Sequence, residues 1–149
     1  MPKPQHLLHT LKEYFGYDSF RPLQERIIDS VFLGNDNLVI MPTGGGKSVC
    51  FQLPALLLPG VTLVVSPLIA LMKDQVDGLL ANGIPAAFIN SSQTESEQQD
   101  IYTKLSGKEI KLLYVAPESL SFLDVLFSKV EVSFVNGARV SDLLGHRSL

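Results

Sequence analysis

Continuous apolar runs, separated by segments of helical period, constrain the fold of this chain most strongly. Each run is apolar at nearly every position rather than at alternate positions. The runs are NLVIM from Asn37, VTLVVS from Val61, AAFIN from Ala86, KLLYV from Lys111 and VEVSFV from Val130. Strands of this kind are buried on both faces, which is typical of a parallel sheet covered by helices. The sequence therefore predicts an α/β fold with a parallel sheet and helices on both faces.

Segments of helical period precede and separate these runs. Gly16 is suited to end the first helix, and Pro22 is suited to the first turn of the second. We expect Ile101 and Leu105 to lie on the inner side of a polar helix. The predicted helices cover residues 7–15, 22–34, 47–57, 67–83, 94–105 and 117–127. Strands thus alternate with helices along the whole chain up to residue 135.

Composition excludes several classes of protein. The chain has 149 residues, 46% of them hydrophobic, which is enough for one domain with a core. Its net charge of -3 provides no overall field that attracts nucleic acid, so any such contact must be local. A single cysteine, Cys50, excludes an internal disulfide. No apolar run reaches the roughly 20 residues of a membrane span, and the polar start is unlike a signal peptide. We expect a soluble, cytoplasmic protein.

A glycine-rich segment, Met41 to Ser48, lies between a predicted strand and a predicted helix. Its sequence, MPTGGGKS, matches a phosphate-binding loop except that Met41 replaces the usual first glycine. Glycines allow backbone N–H groups to converge on phosphate oxygens, and the following helix directs its positive end at the same anion. Lys47 is expected to reach the outer phosphates and Ser48 to hold Mg²⁺. The candidate phosphate ligands are Thr43, Gly44, Gly45, Gly46, Lys47 and Ser48.

Four segments in this order resemble the first half of a RecQ-family DNA helicase. They are FGYDSFRPLQ from Phe15, MPTGGGKS from Met41, SPLIALMKDQ from Ser66 and YVAPE from Tyr114. The resemblance implies an incomplete RecA-like lobe of a superfamily 2 helicase, which uses ATP and Mg²⁺ to move 3′ to 5′ along DNA. It also implies single-stranded DNA and duplex junctions as partners, no membrane, a location at the nucleoid, and a role in DNA repair and recombination.

The resemblance also assigns roles to single residues. Tyr17, Arg21 and Gln24 match the motif that recognises adenine: tyrosine offers a stacking face, and the glutamine amide can both donate and accept. An alternative is that Tyr17 and Arg21 only cap a helix junction. Lys47 is the candidate catalytic residue.

Segments that follow three of the strands match those that contact the DNA backbone. The candidate nucleic-acid residues are Ser66, Pro67, Lys73, Asn90, Ser91, Pro117 and Glu118. Small polar loops also cap helices, and Lys73 alternatively lies on a solvated surface, so both readings stay open. We expect Leu68, Leu71 and Met72 to lie in the core.

The resemblance ends at Asn136. Where the family has Asp-Glu-Ala-His, which orients Mg²⁺ and activates water, this chain has Asn136-Gly-Ala-Arg and no tryptophan anywhere. We therefore divide the chain into a partial RecA-like lobe, 1–135, and a divergent tail, 136–149, and expect ATP binding that is weak at best, without hydrolysis. The hypothesis is a frameshift, a mis-joined coding sequence or a truncation. The alternatives are a short nucleotide-binding protein that does not hydrolyse ATP, or a regulatory interaction fragment.

A strand that normally lies beside the phosphate-loop strand in such lobes is also absent. Unpaired backbone groups cost about 1–3 kcal/mol each when buried, so we expect a poorly stable, aggregation-prone chain when it is expressed alone.

The coding DNA from codon 130 to beyond codon 149 tests the frameshift hypothesis. We predict that another reading frame continues into Asp-Glu-Ala-His followed by an aromatic-rich loop. Sequencing the DNA and translating all three frames is sufficient. The absence of such a frame would leave a genuine tail and contradict the hypothesis.

Overall fold

The computed structural model describes residues 6–41, 46–122 and 132–136, and side chains as far as Ser119. The chain divides into two compact units, 1–58 and 59–149, which are described separately. Within the described ranges, no helix is both long and apolar enough to cross a membrane.

The first unit consists of three helices. They are α1 (Leu7–Phe15), α2 (Pro22–Phe32) and α3 (Val49–Leu57). Gly16 ends α1 as predicted: its φ of 78° is the left-handed conformation that glycine adopts without strain, and its N–H donates to Lys12 O at 3.0 Å. Pro22 begins α2, also as predicted. Leu11, Ile28 and Leu53 are fully buried and form the centre of this unit.

The strand predicted from Asn37 is not formed, and that prediction is wrong. Residues 35–41 have no regular structure, and the side chains of Leu38 and Ile40 are 92% and 86% exposed. The segment lies beside α2, and together they line an open cavity of about 320 Å³. A strand requires a neighbour to satisfy its N–H and C=O groups, and no described strand pairs with this segment. An apolar sequence alone therefore does not make this segment a strand.

The second unit is a parallel sheet with helices. Its elements are β1 (Val61–Val65), α4 (Ile69–Ala81), β2 (Ala86–Ile89), α5 (Glu95–Ser106), β3 (Leu112–Val115), a 3₁₀ helix (Pro117–Phe122) and β4 (Val132–Asn136). The strand order is β2-β3-β1-β4, and all three pairings are parallel. The α/β class and the parallel sheet predicted from sequence are confirmed. The helix predicted over 117–127 is a 3₁₀ helix as far as Phe122, and the remainder lies outside the described residues.

The sheet is buried in the way that its continuous apolar runs predicted. Leu63 of β1 and Ala87 of β2 are both in register with Leu113 of β3, and all three are buried. Leu105 of α5 packs in the same cluster and Ile101 packs against it, which confirms the inner side predicted for that helix. Burial of this apolar surface stabilises the unit by roughly 25 cal/mol per Å².

Two residues predicted to lie in the core are on the surface. Leu68 is 56% exposed and Leu71 is 47% exposed, whereas Met72 is buried as predicted. The buried face of α4 consists of Met72, Val76 and Leu79, which recur at helical spacing. Leu71 lies one residue, or about 100°, off that face, and Leu68 precedes the helix.

Two matched Leu→Ala substitutions test which leucines stabilise the fold. Leu113→Ala removes a fully buried side chain between two neighbouring strands and should lower the free energy of unfolding by about 2–5 kcal/mol. Leu38→Ala, at an exposed position, should change it by no more than about 0.5 kcal/mol. Chemical denaturation of both variants is the measurement. A loss at Leu38 as large as that at Leu113 would contradict the assignment of residues 35–41 to the surface.

Candidate functional site

The beginning of α2 is held by the side chain of Gln24. Gln24 Oε1 accepts a hydrogen bond from the backbone N–H of Arg21 at 3.0 Å. Arg21 is the residue before the helix and Gln24 is the third residue within it, so this contact satisfies a donor at the helix start. The segment predicted to recognise adenine is therefore locally ordered by its own glutamine.

The other end of the Gln24 amide contacts the phosphate-loop segment. Gln24 Nε2 donates to Gly46 O at 3.0 Å, across 22 residues of sequence, and Gln24 is only 5% exposed. Gly46 has a φ of 83°, and a Cβ atom there would lie 2.2 Å from Gln24 Nε2 and 3.8 Å from Arg21 Cδ. The positive φ favours glycine, and a Cβ atom would also displace the Gln24 amide from its hydrogen bond to Gly46 O. The structure brings together Arg21, Gln24 and Gly46, three residues that the sequence had assigned to nucleotide binding.

Cys50 is a further contact at Gly46 that the sequence analysis did not assign. Its thiol lies 3.7 Å from Gly46 O, at the geometry of a weak hydrogen bond in the first turn of α3. Burial raises the pKa of the Cys50 thiol above its ordinary value. In the sequence, the only signal for this contact was that Cys50 lies four residues after Gly46, within a predicted helix.

Lys47 and Ser48 are exposed at the start of α3. Ser48 is the N-cap residue, but its hydroxyl makes no capping hydrogen bond, so that oxygen remains available to a metal ion. The backbone N–H groups of the first helical turn and the Lys47 ammonium group suit a phosphate. The residues present therefore fit Mg²⁺ and a nucleotide triphosphate. Thr43, Gly44 and Gly45 lie outside the described residues.

Tyr17 lies in the short connection between α1 and α2 and is 55% exposed. An ion pair between Lys12 Nζ and Asp18 Oδ1, at 2.6 Å, spans this connection. The stacking of Tyr17 on adenine remains a prediction. Its exposed ring is nevertheless accessible to a flat ligand.

In the second unit, the candidate nucleic-acid segments follow the carboxyl ends of three neighbouring strands. Val65, Ile89 and Val115 are the last residues of β1, β2 and β3 and lie level in the sheet. Ser66 N–H continues this pairing by donating to Val115 O at 3.0 Å, and Ser66 Oγ accepts from Leu68 N–H at 3.2 Å. This edge is where open α/β sheets bind ligands.

Asn90 is buried in this edge and not displayed on it. It is 1% exposed; its Oδ1 accepts from Ser92 N–H at 2.9 Å, and its Nδ2 lies 3.6 Å from Met72 Sδ. Its backbone O accepts from Gln98 Nε2 at 3.1 Å. The Asn90 side chain therefore stabilises the loop after β2, and of the two candidates in this loop only Ser91 is exposed.

The remaining candidates are exposed. Pro117 and Glu118 begin the 3₁₀ helix after β3, and Pro67 follows Ser66 at the surface. Lys73 is exposed on α4, and its Nζ pairs with Asp77 Oδ2 at 2.6 Å. The hydrogen bond and charge of Asp77 raise the pKa of Lys73. A phosphate at Lys73 thus has to compete with a carboxylate one helical turn away.

Replacing Asn90 tests its structural role. Asn90→Ala leaves the Ser92 and Met72 partners without their contacts and should lower the free energy of unfolding by about 1–3 kcal/mol. Ser91→Ala, at the adjacent exposed position, should be close to neutral. Urea denaturation compares them, and equal stability of the two variants would contradict the internal role of Asn90.

Comparison with known proteins identifies the family. The chain matches the DEAD/DEAH box helicase family over residues 21–136. It is 56% identical over 138 residues to an ATP-dependent DNA helicase RecQ of Pasteurella multocida, covering 91% of this chain and 22% of that protein. It is 51% identical over 143 residues to the Haemophilus influenzae RecQ, covering 93% and 23%, and 51% identical over 120 residues to the Bacillus subtilis RecQ, covering 78% and 20%.

The chain thus spans about a fifth of the length of the curated relatives it matches. The matched range includes Gln24 and Gly46, which the fold brings together, and the three strand ends of the second unit. The chain belongs to the DEAD/DEAH box helicase family, in its branch of RecQ-type ATP-dependent DNA helicases.

Proposed function

We propose that residues 1–135 are the nucleotide-binding part of an ATP-dependent DNA helicase that moves 3′ to 5′. The observation that supports this best is the hydrogen bond from Gln24 Nε2 to Gly46 O. It joins the segment proposed to recognise adenine to the segment proposed to bind phosphate. Membership of the RecQ branch supports the same reading.

In the proposed ATP site, each residue has a separate role. Lys47 contacts the outer phosphates, where it neutralises charge, and Ser48 ligates Mg²⁺. Thr43, Gly44, Gly45 and Gly46 provide the loop, and Tyr17, Arg21 and Gln24 recognise adenine. In a complete helicase of this type, hydrolysis of the bound ATP would supply the free energy for movement along DNA. The Ser48 hydroxyl, which makes no capping hydrogen bond to α3, and the exposed Lys47 support these assignments.

DNA is proposed to lie at the carboxyl edge of the sheet. The exposed Ser91 hydroxyl and the backbone N–H groups after the strands suit phosphate oxygens, as in other contacts that position a DNA backbone. Pro117 and Glu118 are the proposed contact residues after β3, through the backbone of that segment and not through the Glu118 carboxylate. Ser66 and Pro67 contribute after β1, and Lys73 adds a charge that its pairing with Asp77 attenuates. The proposed substrate is single-stranded DNA and its junctions with duplex, in repair and recombination at the nucleoid.

This chain is proposed to bind ATP without hydrolysing it. β4 ends at Asn136, where the resemblance implies the first of two carboxylates. An amide carries no charge to orient Mg²⁺, and Gly137 cannot activate water. The family match also ends at residue 136, which supports treating 136–149 as a divergent tail.

Lys47→Ala should abolish measurable ATP binding. The substitution removes the cation that reaches the outer phosphates, and a charge-assisted contact of this kind contributes about 1.5–3 kcal/mol, or about 10- to 150-fold in Kd. Isothermal titration of the 149-residue chain with ATP and Mg²⁺ is the measurement.

Lys104→Ala is the matched control, because Lys104 is an exposed lysine on α5. It should bind ATP as the unaltered chain does. Equal ATP affinity of the Lys47→Ala and Lys104→Ala variants would exclude the proposed site.

A further inference from the structure

We propose that Gln24 is a positioning residue for the phosphate loop, in addition to contacting adenine. This inference rests on the proposed function and concerns how the same nucleotide site is organised. Gln24 would act through the carbonyl of Gly46, so that its loss weakens the binding of any triphosphate, whether or not that ligand carries a base.

The Gln24 amide is already engaged at both ends without a nucleotide. Its oxygen accepts from Arg21 N–H and its nitrogen donates to Gly46 O, each at 3.0 Å. A glutamine amide has two N–H donors and two lone pairs on oxygen. One donor and one lone pair therefore remain for an adenine edge, so the contact to Gly46 need not break when adenine binds.

The contact to Gly46 fixes a peptide group that faces the phosphates. The peptide bond between Gly46 and Lys47 is planar and trans, so its C=O and N–H point in opposite directions. Holding Gly46 O toward Gln24 therefore directs Lys47 N–H away from Gln24. Backbone N–H groups of such a loop are the groups that surround phosphate oxygens. Gln24 thus orients one of them before the ligand arrives.

Few other interactions restrain this peptide. Apart from Gln24, the described contact to Gly46 O is the weak one from the Cys50 thiol at 3.7 Å. The Gln24 side chain is buried, so water cannot readily replace its hydrogen bond. A Cβ at Gly46 would lie 2.2 Å from Gln24 Nε2, which shows how closely the loop backbone approaches the amide.

Two ligands separate positioning from adenine recognition. Gln24→Met is uncharged and of similar length, and it removes both hydrogen bonds. We expect this substitution to weaken the binding of ATP and of inorganic tripolyphosphate by a similar factor, about three- to tenfold in Kd. Gln99→Met, at an exposed position on α5, should change neither. Tyr17→Ala should weaken the binding of ATP more than the binding of tripolyphosphate, because only ATP has a base that can stack on the ring. If Gln24→Met weakens ATP alone, Gln24 recognises adenine only and the proposal is overturned.

A second measurement needs no ligand. Cys50 is the one cysteine in the chain, is buried, and contacts the same carbonyl. Releasing Gly46 should expose the thiol, so Gln24→Met and Gln24→Glu should both react faster with a thiol-labelling reagent, by several-fold. Gln24→Glu retains the acceptor for Arg21 N–H and loses only the donor to Gly46. Ile28→Val removes a buried methyl group from the same helix and controls for a general loss of stability.

The two measurements distinguish the possible failures. If the unaltered chain binds neither ATP nor tripolyphosphate, the proposed function fails, and the labelling rates still decide whether Gln24 holds the loop. If both Gln24 variants label at the rate of Ile28→Val or more slowly, the positioning role is excluded whatever the chain binds.

Discussion

The parallel pairing of β3 with both β1 and β2 is the constraint on which the second unit depends. β3 is buried along its whole length, and its register sets the last residues of three strands level with one another. Parallel strands place all their carboxyl ends at one edge, so the segments after them gather there irrespective of their own sequence. The proposed DNA contacts are a consequence of this register. Ser66 extends it by one hydrogen bond, and Asn90 fixes the adjacent loop from inside.

In the first unit, the side chain of Gln24 is a constraint of similar importance. Gln24 satisfies a donor at the start of α2 and also contacts the carbonyl of Gly46. The same residue therefore contacts both the segment proposed to recognise adenine and the end of the proposed phosphate loop. The positive φ at position 46 favours glycine, and a larger residue there would disturb the Gln24 contact.

The sequence predicted the fold class and most elements because their signals are local. Continuous apolar runs gave β1, β2 and β3, and Gly16 and Pro22 marked helix ends as their backbone preferences require. The strand predicted at residues 37–41 was wrong because the stability of a strand does not depend on local signals alone. A strand is stabilised by its neighbours, and apolar residues without a partner strand stay irregular and exposed. The prediction that Leu68 and Leu71 lie in the core was wrong for a related reason. The sheet, and not the composition of α4, determines which face of that helix is buried.

The candidate site was predictable as a set of motifs but not as a geometry. Spacing within MPTGGGKS indicates a phosphate site, yet nothing in the sequence states that Gln24 contacts Gly46 or that Cys50 shares that carbonyl. The Gln24 contact arises from packing across 22 residues of sequence, and the Cys50 contact joins two residues only four apart at the start of α3. The amide of Asn90 illustrates the converse: a small polar residue after a strand suits DNA, and only its burial reveals an internal role.

Hydrogen exchange of the 149-residue chain, with and without ATP and Mg²⁺, tests whether nucleotide binds at Gln24 and Lys47. We predict that ATP slows exchange in peptides covering residues 16–24 and 41–52, where the proposed adenine and phosphate segments lie. Exchange in α5, over residues 95–106, should stay unchanged. Protection confined to α5, or none anywhere at saturating ATP, would contradict nucleotide binding at Gln24 and Lys47.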